Sequence, residues 1–161
     1  MPDPDPVSVH ASCLDALVTV IGGLNLVGIT AVGTQTVVSD LGTVGSTKMT
    51  GDDGKLAGSF VSVSPWGQED VIDFTNARDL TTYRCLVAII AKRDDPTLAR
   101  KLEWREKIRK RLMNLKIGVS SIRKCGLQLN PVIEATAYVQ RGTFLSTMVV
   151  LCESIEARAT V

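Results

Sequence analysis

The chain has 161 residues, 45% of them apolar and 22% charged, with a formal net charge of +1. That length suits a single domain able to bury its own core. Aromatics are only 4%, which leaves Val, Leu, Ile and Ala to fill that core and argues against a base-stacking nucleic-acid reader. The near-zero charge hides a division. Residues 92–124 hold twelve of the eighteen Lys and Arg but four acids, an excess of +8, while the rest of the chain carries −7. Such segregation creates a local field suited to a polyanion or an acidic neighbour; the alternative is a solvated helix whose charge is balanced by carboxylates nearby in the fold.

In chain order, Met1–Pro6 (MPDPDP) is acidic and proline-rich. It predicts an extended leader over residues 1–7 and speaks against a secretory signal, which needs a basic start. Residues 8–161 then form one domain. Ser8 to about Ile21 predicts a helix, with Val9, Leu14, Leu17, Val18 and Ile21 at 3–4 spacing and Gly22-Gly23 as the stop. Residues Ala16–Ser39 carry no charge, but glycines, threonines, Asn25 and Gln35 interrupt them. A turn and buried strand fit that pattern better than a membrane span.

Gly22 to Gly58 holds nine of the thirteen glycines. Short strands are expected near Val27–Thr30 and Thr34–Val38. Asp40–Lys55 is polar, glycine-rich and without periodicity, and it predicts a long loop with a docking role. Its candidate contact residues are Asp40, Gly45, Lys48, Asp52, Asp53 and Lys55. The run Gly-Ser-Thr-Lys within it lacks the spacing of a phosphate-binding loop. Leu56–Ser64 predicts a strand ended by Pro65, and Trp66–Thr81 a polar connection. Thr82–Lys92 (TYRCLVAIIAK) is apolar on both faces, the mark of a central strand covered on each side.

Asp94-Asp95-Pro96 predicts a helix start, with Asp95 as cap and Pro96 at the first helical position. The helix Pro96–Asn114 carries an apolar stripe of Leu98, Leu102, Ile108, Leu112 and Leu115. Glu103–Lys107 and Glu106–Lys110 are favourable i,i+4 pairs. Arg105 falls near the middle of the stripe. The favoured reading buries its stem and sends the guanidinium outward; the alternative is a carboxylate partner in this chain or a neighbouring copy. After Gly118 comes a mixed connection to Asn130-Pro131. Val132–Val139 and Thr143–Arg158 predict two strands joined by a Gln140-Arg141-Gly142 turn.

Signs of catalysis are missing from the sequence. His10 is the single histidine, with no nucleophile or metal-ligand partner at a working spacing. Cys13, Cys85, Cys125 and Cys152 stand at least 27 positions apart, so no zinc spacing exists and reduced thiols are expected. The expectation is a non-enzyme without metal or cofactor.

The runs TYRCLVAIIAKRDDPTLARKLEWREKIRKRL and VIEATAYVQRGTFLSTMVVLCESIEA, in this order of elements, resemble the tail terminator and tail-completion (neck) proteins of tailed bacteriophages. The resemblance spans most of residues 8–158. It implies a small α+β domain, a mostly antiparallel sheet packed against two helices. It further implies a virion structural protein at the head–tail junction, made in the host cytoplasm. Such proteins assemble as a six-membered ring that caps the tail tube, ends its growth and joins it to the head connector. Its partners would be its own copies (a homohexamer), the tail-tube protein, the head-side connector or stopper, and passing DNA without sequence readout; no membrane partner is implied. Arg100, Lys101, Arg105, Lys107, Arg109, Lys110 and Arg111 are then the candidate ring-interface or lumen-lining basic face. A head-closure (stopper) protein of the same neck and a non-catalytic nucleic-acid-binding module are the competing readings.

Overall fold

The computed structural model describes residues 8–35 and 42–158. The expected leader, Asp40 and most of the Thr34–Val38 strand lie outside the described residues. The architecture is α+β, as expected. A mixed, mostly antiparallel sheet carries helices on one face and a small hairpin on the other.

Helix α1 spans Val9–Gly22, and Ser8 caps it by accepting from the Ala11 N–H at 3.2 Å. Its stripe Cys13, Leu17 and Ile21 is fully buried. The strand expected at Val27–Thr30 is instead a turn, with Asn25 (φ 48°) and Gly28 (φ 90°) in left-handed conformations. Strand β1 starts only at Ala31 and runs to Thr34.

The expected loop at Asp40–Lys55 is also structured where described. Strands β2 (Thr43–Val44) and β3 (Thr47–Lys48) make a tight hairpin around Gly45, whose φ is 59°. Val44 and Met49 are buried and anchor it beside Phe60, Ala88 and Ile90. It lies so close to β1 that a Cβ on Gly33 would sit 2.5 Å from the Gly45 nitrogen. Two apolar anchors in a polar run gave no periodic signal.

Strand β4 (Phe60–Pro65) pairs parallel with β1 and antiparallel with β6. The expected polar connection Trp66–Thr81 is a second hairpin: β5 (Asp70–Thr75) turns directly into β6 (Arg78–Lys92). As expected, β6 is central and covered on both faces. Cys85, Val87, Ile89 and Ala91 face the helices, and Ala88 and Ile90 face the β2–β3 hairpin.

Helix α2 covers Leu98–Leu112. It starts later than expected, because Thr97 rather than Asp95 caps it and Pro96 precedes the cap through a cis peptide bond. Strand β7 (Ile122–Leu129) occupies what reads as a mixed connection. The expected strand Val132–Val139 is a short helix, α3 (Ala135–Gln140). Glu134 caps it, accepting from the Thr136 and Ala137 N–H groups at 3.2 and 2.5 Å. Side-chain capping there overrides the β-propensity of the sequence. Strand β8 (Thr143–Ala157) then pairs with β6 over its whole length and with β7 on its other edge. The strand order is β1-β4-β6-β8-β7, with β5 alongside the first part of β6.

Candidate functional site

The sheet outruns its helices. β6 and β8 are 15 residues each and pair from Lys92↔Thr143 to Arg78↔Ala157. Helix α1 reaches along β6 as far as Tyr83, where His10 Nε2 lies 2.9 Å from the Arg84 carbonyl oxygen and the imidazole tilts against the Tyr83 ring. His10 is thus tied into packing. Beyond Tyr83 the sheet continues as an arm made of β5, the start of β6 and the end of β8, with the first residues of β7 alongside β8 as far as Ser154.

Every residue of β5 is exposed. Val71, Ile72 and Phe74 keep 59%, 62% and 47% of their surface open. Single exposed apolar residues are ordinary, but three lie on this one short strand, and because successive side chains alternate, Val71 and Ile72 open onto opposite faces of the arm. Among the described residues β5 pairs with β6 alone, so its other edge offers backbone N–H and C=O groups, the usual template for a further strand.

The arm is braced despite its exposure. Arg158, just past β8, binds Asp73 of β5 and reaches Asp79 of β6 at 2.7 Å. Arg84 meets Asp70 at 2.6 Å. The Tyr83 hydroxyl donates to Glu156 at 2.6 Å; burial first, then that carboxylate, hold its phenol above the usual tyrosine range. Each exposed pair is worth little alone, but together they tie β5, β6 and β8. Acids predominate here: Glu69, Asp70, Asp73, Asp79, Glu153 and Glu156 against Arg78, Arg84 and Arg158.

The predicted basic face divides. Lys101 is fully buried and Arg105 is 6% exposed. The buried stripe of α2 is Lys101, Trp104, Arg105, Ile108 and Leu112, turned from the expected one so that Leu98 lies 45% exposed. Lys101 Nζ donates to the Lys92 carbonyl at 2.5 Å and to the Arg93 carbonyl, and lies 5.4 Å above the Phe144 ring. Arg105 donates to Ser146 Oγ (2.6 Å) and to the carbonyls of Thr147 (3.0 Å) and Asn130 (2.6 Å). The guanidinium therefore does not snorkel outward, and among the described residues its partners are neutral oxygens and not a carboxylate. Burial lowers the pKa of both cations. Both serve carbonyls around strand ends, where backbone groups need partners. Neither is available to a lumen or a partner.

The remaining cations are outward. Arg100, Lys107 and Arg111 line one flank of α2 at about 100° per residue, and Arg109 stands on the opposite flank. Glu103 bridges Arg100 (2.9 Å) and Lys107 (2.7 Å), and these cations hold its carboxyl below the usual range, Lys107 foremost. Lys110 and Arg111 are exposed. Of the candidate docking residues, Lys55 joins the basic segment: with Lys92, Arg93, Asp94, Asp95 and Arg141 it lines an open cleft of about 620 Å³. Gly45, Lys48, Asp52 and Asp53 belong to the hairpin region of residues 42–55.

Two features were not read from the sequence. The arm hides in DVIDFT, where Val71, Ile72 and Phe74 favour a strand but do not alternate strictly, and the acids Glu69, Asp70 and Asp73 make the stretch read as loop. The four cysteines, far apart in sequence, converge in space around Cys152. All four are free thiols. Among the described residues no group of three or more His, Cys, Asp or Glu is arranged to hold a metal ion, and no helix is long and apolar enough to cross a membrane.

The chain matches no protein-family model and no curated protein. Among solved structures it is similar to a chain of "Virion of native gene transfer agent (GTA) particle", with 16% identity, 92% of each chain covered and a TM-score of 0.45. At that identity and score the likeness assigns no function.

Proposed function

We propose that this chain is a structural subunit that works by self-association rather than by catalysis. The observation that carries the reading is the braced, uncovered arm. It presents apolar side chains and an open strand edge on a predominantly acidic element, while α2 presents cations on another face. A subunit with two different complementary faces forms heterologous contacts, which close into a ring when the rotation between neighbours permits. Opposite charges also set the order of pairing and disfavour like-to-like contacts.

Within that class, the resemblance carried by the β6–α2 and α3–β8 runs leads to the phage neck. The subunit is a tail terminator of the virion, a ring that caps the tail tube, ends its growth and meets the head connector, with DNA passing through. The exposed Lys107, Lys110 and Arg111, the half-buried Arg100 and Arg109 and the Lys55–Arg141 cleft suit contact with phosphates or an acidic neighbour without base readout.

The test is direct. Tail-tube protein polymerised with this chain should give shorter tubes with one end capped in electron micrographs. Tubes of unchanged length with bare ends would rule out termination. Capture of the portal-side connector alone would favour the stopper reading.

A further inference from the structure

The cysteine cluster lies under the N-terminal half of α1, where four elements meet. Cys13 comes from α1, Cys85 from β6, Cys125 from β7 and Cys152 from β8. Cys125 and Cys152 are direct partners in the β7–β8 ladder, and their sulfurs are 3.9 Å apart. Residues directly opposite in an antiparallel pair have Cα atoms about 4.5–5.5 Å apart, inside the range a disulfide spans. Cys13 and Cys85 also contact the Cys152 thiol, but both are fully buried.

Cys125 differs from the other three. It is half-buried, and it lines an open cleft of about 220 Å³ together with Lys116, Arg123 and Lys124. Of the four cysteines, Cys125 is the one that lines this cleft, while Cys13, Cys85 and Cys152 are buried. Cations around the opening favour an anionic reagent. When Cys125 ionises, the Cys152 S–H donates to it, which lowers the Cys125 pKa despite burial and raises that of Cys152. A partly exposed thiol in an electropositive setting is where thiol chemistry concentrates.

We propose that Cys125 and Cys152 are an oxidisable thiol pair, with Cys125 the attacking sulfur and Cys152 the resolving one, and that a small anionic disulfide is the oxidant the cleft admits. The Cys125 thiolate attacks one sulfur of the oxidant, forming a mixed disulfide and expelling one thiolate. Cys152 then loses its proton to solvent, and its thiolate attacks the Cys125 sulfur and expels the second thiolate, which takes up a proton from solvent. Two protein thiols are oxidised and one external disulfide is reduced to two thiols. The product joins β7 to β8 covalently beneath α1, stapling the β7 edge of the sheet at the level of Tyr83, where the arm begins.

The pairing is tested on the folded full-length chain with oxidised glutathione. After acid quenching and denaturation, maleimide-reactive thiols should fall from four to two, with one linked peptide containing Cys125 and Cys152. Cys125→Ser should keep all of its remaining thiols reactive. Cys152→Ala should stop with glutathione attached to Cys125. Four reactive thiols in the wild-type chain, a link between Cys13 and Cys152, or glutathione persisting on wild-type Cys125 would each overturn the proposal. Because the wild-type peptide map decides alone, the test stands even if Cys152→Ala fails to fold.

Discussion

Arg105 shows how a charged side chain enters a core without an opposite charge. Three neutral oxygens, Ser146 Oγ and the carbonyls of Thr147 and Asn130, divide the guanidinium between them. Removing it leaves those acceptors buried and unpaired, at about 1–3 kcal/mol for such a group, offset in part because the cation no longer has to be desolvated. Arg105→Met should therefore lower unfolding free energy by roughly 1–3 kcal/mol in urea titration. Arg105→Lys should not restore it, since one ammonium lacks the planar fork. Glu134 supplies a pH signature. Its carboxylate caps α3, and the Ala137 N–H, with Thr136, holds its pKa below the usual 4.5. A depressed carboxyl pKa contributes stability that is present above about pH 4.5 and lost as pH falls through the folded value. Glu134→Gln should flatten the acid limb of the stability curve below pH 4.5 relative to wild type, as followed by circular dichroism. An unchanged acid limb would show that the cap carries no such coupling.

Among the elements, legibility followed periodicity. α1, β6 and β8 were readable because long apolar patterns repeat along them. α2 was readable in extent but not in rotation, since a stripe that includes Lys101 and Arg105 looks polar until β6 and Asn130 bring their carbonyls. The β2–β3 and β5–β6 hairpins were lost to composition. β2–β3 buries only a few anchors in a glycine-rich run. β5 buries nothing and is held by its ladder and by Arg158, a residue 85 positions from Asp73. The arm's exposure also makes it the element to perturb. Ile72→Asp with Phe74→Ser places polar groups on a strand that is already solvated, so the monomer should keep its melting temperature within a few degrees, as surface changes do at about ±0.5 kcal/mol. Self-association should drop by at least about tenfold, given that interface hot spots cost about 2 kcal/mol or more. Unchanged association would remove the arm from the interface.

For the whole molecule, the net charge of +1 resolves into an acidic, apolar-studded arm and a helix whose outward cations lie on another face, with two of the segment's cations turned inward to hold the fold. A ring uses both surfaces of every subunit, and a monomer uses neither. The direct measurement is native mass spectrometry of the wild-type chain with tail-tube protein present, at low and moderate salt. The expected result is a closed oligomer, six-membered by the resemblance, that dissociates in the Ile72→Asp, Phe74→Ser chain. A wild-type chain that stays monomeric in both salts with the tube protein present would contradict it.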